Sequence, residues 1–332
     1  EEKRFLASKG GAMKVITFFN NKGGVGKTTT IINLASYLSI YRGKKVLVVD
    51  LDPQSNSTQA ILPEETWLEF YDPDNHNVRK TIYDYFRDME EGDANFNNID
   101  IPVSEGQNNF KISLIPGHPK LSIIDDTMSK SWSETLSGDK GAIRKLNWLN
   151  QLKKENTIFD YILIDVGPSL GALNRSALLN SDYFLTPMAS DIFSLLGISN
   201  IGDWIERWMN LYEAAIKTFV NKFGEEESRK FFDKYSKIRI DQLVTAKNID
   251  HLVDYLKNTE YYAPLSRIRQ SGASTLADYE LALDLYYFSM MWKERKGNWD
   301  KKDKEMLTKE LGAKIDLLNL QWIYRAKKYY HM

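Results

Sequence analysis

Five runs along the chain are apolar over strand length: "KVITFF" (14–19), "KKVLVVD" (44–50), "FKISLIPG" (110–117), "FDYILIDVGPSLG" (159–171) and "SDYFLTPMASD" (181–191). The strongest of them are nearly continuous rather than alternating, as expected of strands covered on both faces in a parallel sheet. Helical spacing separates them. "TTTIINLASYLSIY" (28–41) places Ile31, Leu34, Ala35 and Leu38 on one face, and "TIYDYFRDME" (81–90) repeats the pattern, whereas residues 93–109 read as a loop. Strands alternating with helices predict right-handed crossovers and an α/β, doubly wound, mostly parallel sheet, whose ligands bind outside the carboxyl ends of the strands. From about residue 202 the pattern turns helical, with one β-like stretch at 237–245. No linker rich in Pro, Gly or Ser interrupts the chain. The expectation is a single domain over 13–332, with a core at 13–202 and a mainly helical C-terminal elaboration at 203–332.

The segment between the first strand and the first helix is "NNKGGVGKTTT" (20–30). It matches the phosphate-loop pattern G-x-x-x-x-G-K-[ST] except that Asn21 stands where the first glycine belongs. Gly23, Gly24 and Gly26 allow successive backbone N–H groups to converge on an anion, and the helix start lends its positive end. The candidate nucleotide-binding residues are therefore Lys22, Gly23, Gly24, Val25, Gly26, Lys27, Thr28 and Thr29. Lys27 faces the β- and γ-phosphates, and Thr28 offers a hydroxyl to a Mg²⁺ bridging them. This loop gives the sheet the character of a phosphate-loop NTPase fold.

Three acids fall at carboxyl ends of predicted strands. Asp165 is placed to hold Mg²⁺ through a water. Asp50 and Asp52 are two residues apart and point the same way if the chain stays extended, so that one orients an attacking water and the other supports the metal shell. A purely structural role for Asp50 also fits, because Pro53 fixes the turn that follows.

Composition narrows the chemistry. The chain has 332 residues, 42% of them hydrophobic, which is ample for a packed core. It has no cysteine, which removes disulfides, thiolate catalysis and cysteine–zinc sites and fits a reducing compartment. A formal net charge of −1 means that any attraction to nucleic acid must come from a local patch. No apolar run approaches the length of a bilayer span, and the start "EEKRFLASKGGAM" has no apolar signal core, so a cytosolic protein is expected. Met13 is the expected natural start, with residues 1–12 a tail or an expression remnant.

Together "KGGVGKTT", "VVDLDPQSNST", "TIYDYF", "LIPG" and "FDYILIDVGPSLGALNRSALLNSDYFLTPM" resemble the ParA/MinD family of deviant Walker A ATPases, and its ParA branch in particular. The resemblance spans about residues 13 to 202. It implies an ATPase using ATP and Mg²⁺, slow and stimulated by a ParB-like partner. It further implies an ATP-state homodimer that binds DNA non-specifically and segregates a cargo such as a plasmid. By matching positions it implies that Lys27 binds the phosphates, Thr28 the Mg²⁺, Asp52 positions or activates the water, and Asp165 supports the metal. Lys22 is the family's signature lysine, which reaches the phosphates of the partner subunit. One departure stands out: this chain reads "DVGPS", with Gly167 where the family often has a first proline, and a looser turn is expected there.

Lysine and arginine gather late, in "KERKGNWDKKDK" (293–304) and "YRAKK" (324–328), beside Trp299, Trp322, Tyr324 and Tyr329. Such a patch suits phosphates, although Asp300, Asp303, Glu305 and Glu310 interrupt it, and a solvated helical face with inward aromatics fits as well. The family's MinD branch carries a C-terminal amphipathic membrane helix. Here the apolar content of "IDLLNLQWIYRAKKYYHM" is broad, which favours a docking helix over membrane binding. The alternative to a DNA-associated ATPase is a nucleotide-switched effector whose C-terminal helices bind a protein.

Overall fold

In a computed structural model, the described residues are 13–71, 80–90, 95–188 except 98, 192–232, most of 243–294, and scattered positions from 301 to 315. Among the described residues five strands form one parallel sheet: β1 (Lys14–Phe18), β2 (Val46–Asp50), β3 (Ser113–Ile115), β4 (Tyr161–Asp165) and β5 (Tyr183–Leu185). Their order is β3-β2-β4-β1-β5. The crossover from β1 to β2 leaves a gap that β4 later fills. Phe18, Asp165 and Asp50 consequently lie in one row across three neighbouring strands.

Side chains alternate faces along each strand, and both faces are dry. Val15, Leu47, Val49, Ile162 and Ile164 join one core, and Phe18, Val46, Val48 and Leu163 join the other. On the second face lies α1 (Lys27–Ile40), contributing Ile31, Ile32 and Ala35. After β2 come α2 (Asn56–Ile61) and α3 (Glu64–Leu68), and then α4 (Ile82–Phe86), whose capping box pairs Thr81 with Asp84. Helices α5 (Leu121–Thr135), α6 (Lys140–Leu146) and α7 (Trp148–Glu155) precede β4, and α8 (Ala172–Asn180) links it to β5. The first face is covered largely by α4, α5, α7 and α8, with Trp148 fully buried and donating its indole N–H to Ser176 Oγ at 2.8 Å.

The long α9 (Ile192–Phe223) and α10 (Glu225–Phe232) follow. The chain divides into two compact units, 1–236 and 237–332. The boundary expected at 202 falls inside α9, a continuous helix. In the second unit α11 (Ile249–Tyr255), α12 (Tyr262–Gln270) and α13 (Leu276–Glu294) pack around Val253, Leu256, Leu265 and Tyr279. Of the predicted strand at 237–245 only residues 243 and 245 are described; the segment 316–332 and residues 1–12 lie outside the described residues. No helix among the described residues is long and apolar enough to cross a membrane.

Candidate functional site

The loop between β1 and α1 turns through two left-handed glycines, Gly24 (φ 71°) and Gly26 (φ 82°), a conformation that a Cβ would strain. Thr30 closes the turn, donating from both N and Oγ1 to the Gly26 carbonyl at 2.9 and 2.7 Å. Asn20 braces the loop from below. Its amide donates to the Pro187 carbonyl at 2.8 Å, and its Oδ1 accepts the Lys22 N–H at 2.8 Å. Lys27 is only 9% exposed, and its ammonium donates to the Asn20 carbonyl at 3.2 Å. A buried cation with a single neutral acceptor is incompletely satisfied and is set to take an anion. The Lys22 side chain, by contrast, is exposed.

Asp165 meets the loop across 137 residues of sequence: Thr28 Oγ1 donates to its Oδ2 at 2.8 Å, and Ser57 Oγ donates to the same oxygen at 2.6 Å. Its Oδ1 is buried and has no hydrogen-bond partner. Burial pushes the Asp165 carboxyl above its ordinary value, opposed by the bonds from Ser57 and Thr28, raised further by the charge of Asp52 and lowered by Lys27. An orphaned carboxylate oxygen beside a threonine hydroxyl fits a hard, oxygen-seeking cation. Among the described residues, no group of three or more His, Cys, Asp or Glu is placed to hold a metal. Thr28 and Asp165 are the residues that could hold such an ion here.

Asp50 is fully buried, and its bonds face inward. Its Oδ2 accepts from Thr58 N at 2.8 Å and Thr58 Oγ1 at 2.7 Å, and its Oδ1 accepts weakly from Asp52 N at 3.3 Å. Thr58 Oγ1 in turn accepts the Gly117 N–H at 2.9 Å. Burial, reinforced by the Asp165 charge, pushes the Asp50 carboxyl up to about 8. These bonds form a clasp joining the end of β2 to α2 and to the turn after β3. Asp52 lies beyond the end of β2 and accepts from Gln54 N at 3.0 Å.

The glycine of "DVGPS" also acquires a physical reason. A Cβ on Gly167 would sit 3.1 Å from Asp52 Oδ1, so glycine permits the carboxylate to lie against this turn. Its φ is not positive. Asn174 Nδ2 donates to the Gly167 carbonyl at 3.1 Å and to the Ser169 carbonyl at 2.9 Å. The turn expected to be looser is thus tied down by a side chain of α8. Sequence reasoning did not single out Asn20, Ser57, Thr58 or Asn174: Pro187, Asp165 and Gly117, partners of the first three, lie far off in sequence, whereas Asn174 closes a turn only five to seven residues away; the one local signal was the polar run "SNST" at a strand's end.

A family model described as an AAA domain matches residues 13–218. The Soj sporulation initiation inhibitor of Bacillus subtilis is 34% identical over 188 residues, covering 57% of this chain and 63% of that protein. The chromosome partitioning protein ParA of Myxococcus xanthus is 30% identical, with 58% of each covered. The chain belongs to the ParA/MinD family. A further relative of this ParA-like chain, the uncharacterized protein MJECL24 of Methanocaldococcus jannaschii, is 30% identical over 231 residues, 68% of this chain and 74% of that one. Among solved structures, protein DIP2308 of Corynebacterium diphtheriae is 37% identical, with a TM-score of 0.61 and coverage of 67% of this chain and 74% of that chain. The chain thus spans about three-fifths of the length of its named ParA and Soj relatives. Separately, residues 213–332 match a model described as ATP synthase (C/AC39) subunit.

Proposed function

We propose that this protein is a cytosolic ParA-like ATPase that dimerises in its ATP state, binds DNA non-specifically in that state, and positions DNA or another cargo, with hydrolysis stimulated by a partner protein. The observation that carries the reading is the bond from Thr28 to Asp165 at the mouth of the glycine loop, with an orphaned carboxylate oxygen beside it. Thr28 and Asp165 would hold Mg²⁺, which bound there would neutralise charge on the β- and γ-phosphates.

The chain's own groups account for the remaining work. Lys27 exchanges its bond to the Asn20 carbonyl for phosphate oxygens, and the N–H groups from Gly23 to Thr29 face the same anion. Ser57 orients Asp165, and the Asp50–Thr58–Gly117 clasp fixes the loop that carries Asp52. Asp52, held against Gly167, orients the attacking water in line with the γ-phosphate. Lys22, exposed on the loop, neutralises the phosphates of the partner subunit's nucleotide, which makes dimerisation depend on ATP.

For DNA, the support is kinship with a chromosome partitioning protein together with the exposed Lys301, Lys302 and Lys304; the cluster 324–328 lies outside the described residues. A second reading has its own observation. Residues 237–332 form a separate compact unit, and the family model matching 213–332 differs from the one matching the nucleotide-binding part, which favours a distinct role for this end of the chain. Retention on immobilised DNA with ATP, with ADP and across a salt series separates the two. ATP-dependent, salt-sensitive retention supports the first reading; its absence, with ATPase activity intact, supports the second.

A further inference from the structure

The nucleotide site occupies the carboxyl ends of the strands, and a second concavity lies at the opposite end of the sheet. It is a cleft of about 540 Å³ between the last turn of α1, the turn leading into β2 and the segment before β3. Ile40, Lys44, Lys45, Glu105, Gly106 and Lys111 line it. Lys44 is shared with Asp160, 3.5 Å away. The side chains of Lys45 and Lys111 form no ion pair among the described residues, and both are exposed. Three lysines thus face one glutamate in a recess that the ATPase reading leaves unused.

Lys111 is held there at a cost. Its backbone is left-handed, with φ 56°, a region that long side chains avoid. The conformation is enforced from both sides. Asn108 Oδ1 accepts from Phe110 N at 3.1 Å and from Ile112 N at 3.4 Å, and Ser39 of α1 donates its hydroxyl to the Lys111 carbonyl. A glycine would meet the same backbone demand without strain; the chain uses a lysine and aims it at the cleft.

Beside Ile40, the end of α1 presents aromatic surface to solvent. Tyr41 is 75% exposed and stacks on Tyr37, with ring centroids 5.6 Å apart and planes at 28°. Tyr41 follows the lining residue Ile40 in sequence and so sits at the margin of the cleft rather than in its lining; exposed rings beside lysines are the elements with which proteins hold single-stranded nucleic acid, bases stacking and phosphates meeting ammonium groups. A planar membrane does not reach into a concave recess, and an acidic peptide gives the stacked tyrosines nothing to stack on. We propose that this cleft is a single-stranded nucleic-acid site, with Lys45 and Lys111 on the phosphates and Tyr41 under a base. It extends the DNA reading to a second, nucleotide-independent contact.

The test uses the full chain and a fluorescently labelled 15-nucleotide oligo-dT, followed by anisotropy with ADP present over a salt series. Wild type binds with a clear salt slope. The Lys45→Ala/Lys111→Gly variant, in which glycine suits the left-handed backbone, binds about tenfold more weakly, and its slope is smaller by about 1.4. Tyr41→Ala weakens the single strand about tenfold and leaves a 15-base-pair duplex unaffected. Equal affinity and slope in the double variant would overturn the site. So would binding that needs ATP and is erased by glutamates at Lys301, Lys302 and Lys304, or lysine-dependent binding of phosphatidylglycerol vesicles with none of the oligonucleotide. ATP-dependent duplex retention, measured separately, persists in the double variant, so failure here and failure of the DNA reading give different patterns.

Discussion

Replacing Gly117 with alanine tests the clasp that fixes the loop carrying Asp52. An added Cβ would stand 2.8 Å from Ser55 Oγ, 3.0 Å from Asp50 Cγ and 3.1 Å from the Asp50 carbonyl oxygen. Two of these neighbours belong to the buried end of β2 and cannot swing away, so the turn must retreat and stretch the bond from Gly117 N to Thr58 Oγ1. Overpacking of this kind costs about 1–3 kcal/mol. In a unit of this size that lowers the melting temperature by roughly 2–4 °C for each kcal/mol. Gly106 is the matched control, because its Cβ would meet nothing within 4 Å and its φ is not positive. Thermal unfolding of wild type, Gly117→Ala and Gly106→Ala provides the comparison. Gly117→Ala melting within a degree of wild type would refute the close approach of the two strand ends.

Three further outcomes are expected. Lys27→Ala loses ATP binding by calorimetry, since the buried ammonium is the principal counter-charge of the loop; undiminished binding would displace the site. Without metal or nucleotide, Asp50 holds its proton to about pH 8 when folded but only to its ordinary 3.8 when unfolded. The folded state binds more protons in that window, so the Asp50 contribution to stability is full below about pH 4 and falls as pH rises toward 8, with a limiting slope of about 1.4 kcal/mol per pH unit. Chemical denaturation across that range should show the fall, and Asp50→Asn should lessen it, leaving the part due to Asp165, whose carboxyl is also raised. Finally, glutamates at Lys301, Lys302 and Lys304 should weaken DNA retention while nucleotide affinity stays unchanged, and an unaltered salt slope would count against that surface.

Much of the nucleotide unit is legible because its signals are local. The runs at 14–19 and 44–50 become β1 and β2 almost residue for residue, and the loop glycines fall where positive φ is needed. Asp165 was identifiable as a strand-end acid, but not its second donor, since Ser57 and Asp165 are 108 residues apart. The direction of Asp50 was also hidden. Two acids at i and i+2 share a side only while the strand continues, and β2 stops at Asp50. Helix α5 carries apolar Leu121, Ile124, Met128 and Trp132 at helical spacing, whereas the short α6 and α7, over 140–155, bury faces defined by the elements they pack on. The unit boundary near 236 follows a helix that runs unbroken through 202, so no change of composition marks it.

In the proposed mechanism the two loop lysines serve different nucleotides and Asp52 ends the ATP state. Sedimentation of wild type, Lys22→Ala and Asp52→Ala, each with ATP and with ADP, tests it most directly. Wild type should double its mass with ATP and return to the monomer with ADP. Lys22→Ala should bind ATP yet stay monomeric, and Asp52→Ala should accumulate as a dimer, because the γ-phosphate that joins the subunits is not removed. Equal wild-type mass in both nucleotides, or a Lys22→Ala protein that dimerises normally with ATP, would contradict the account.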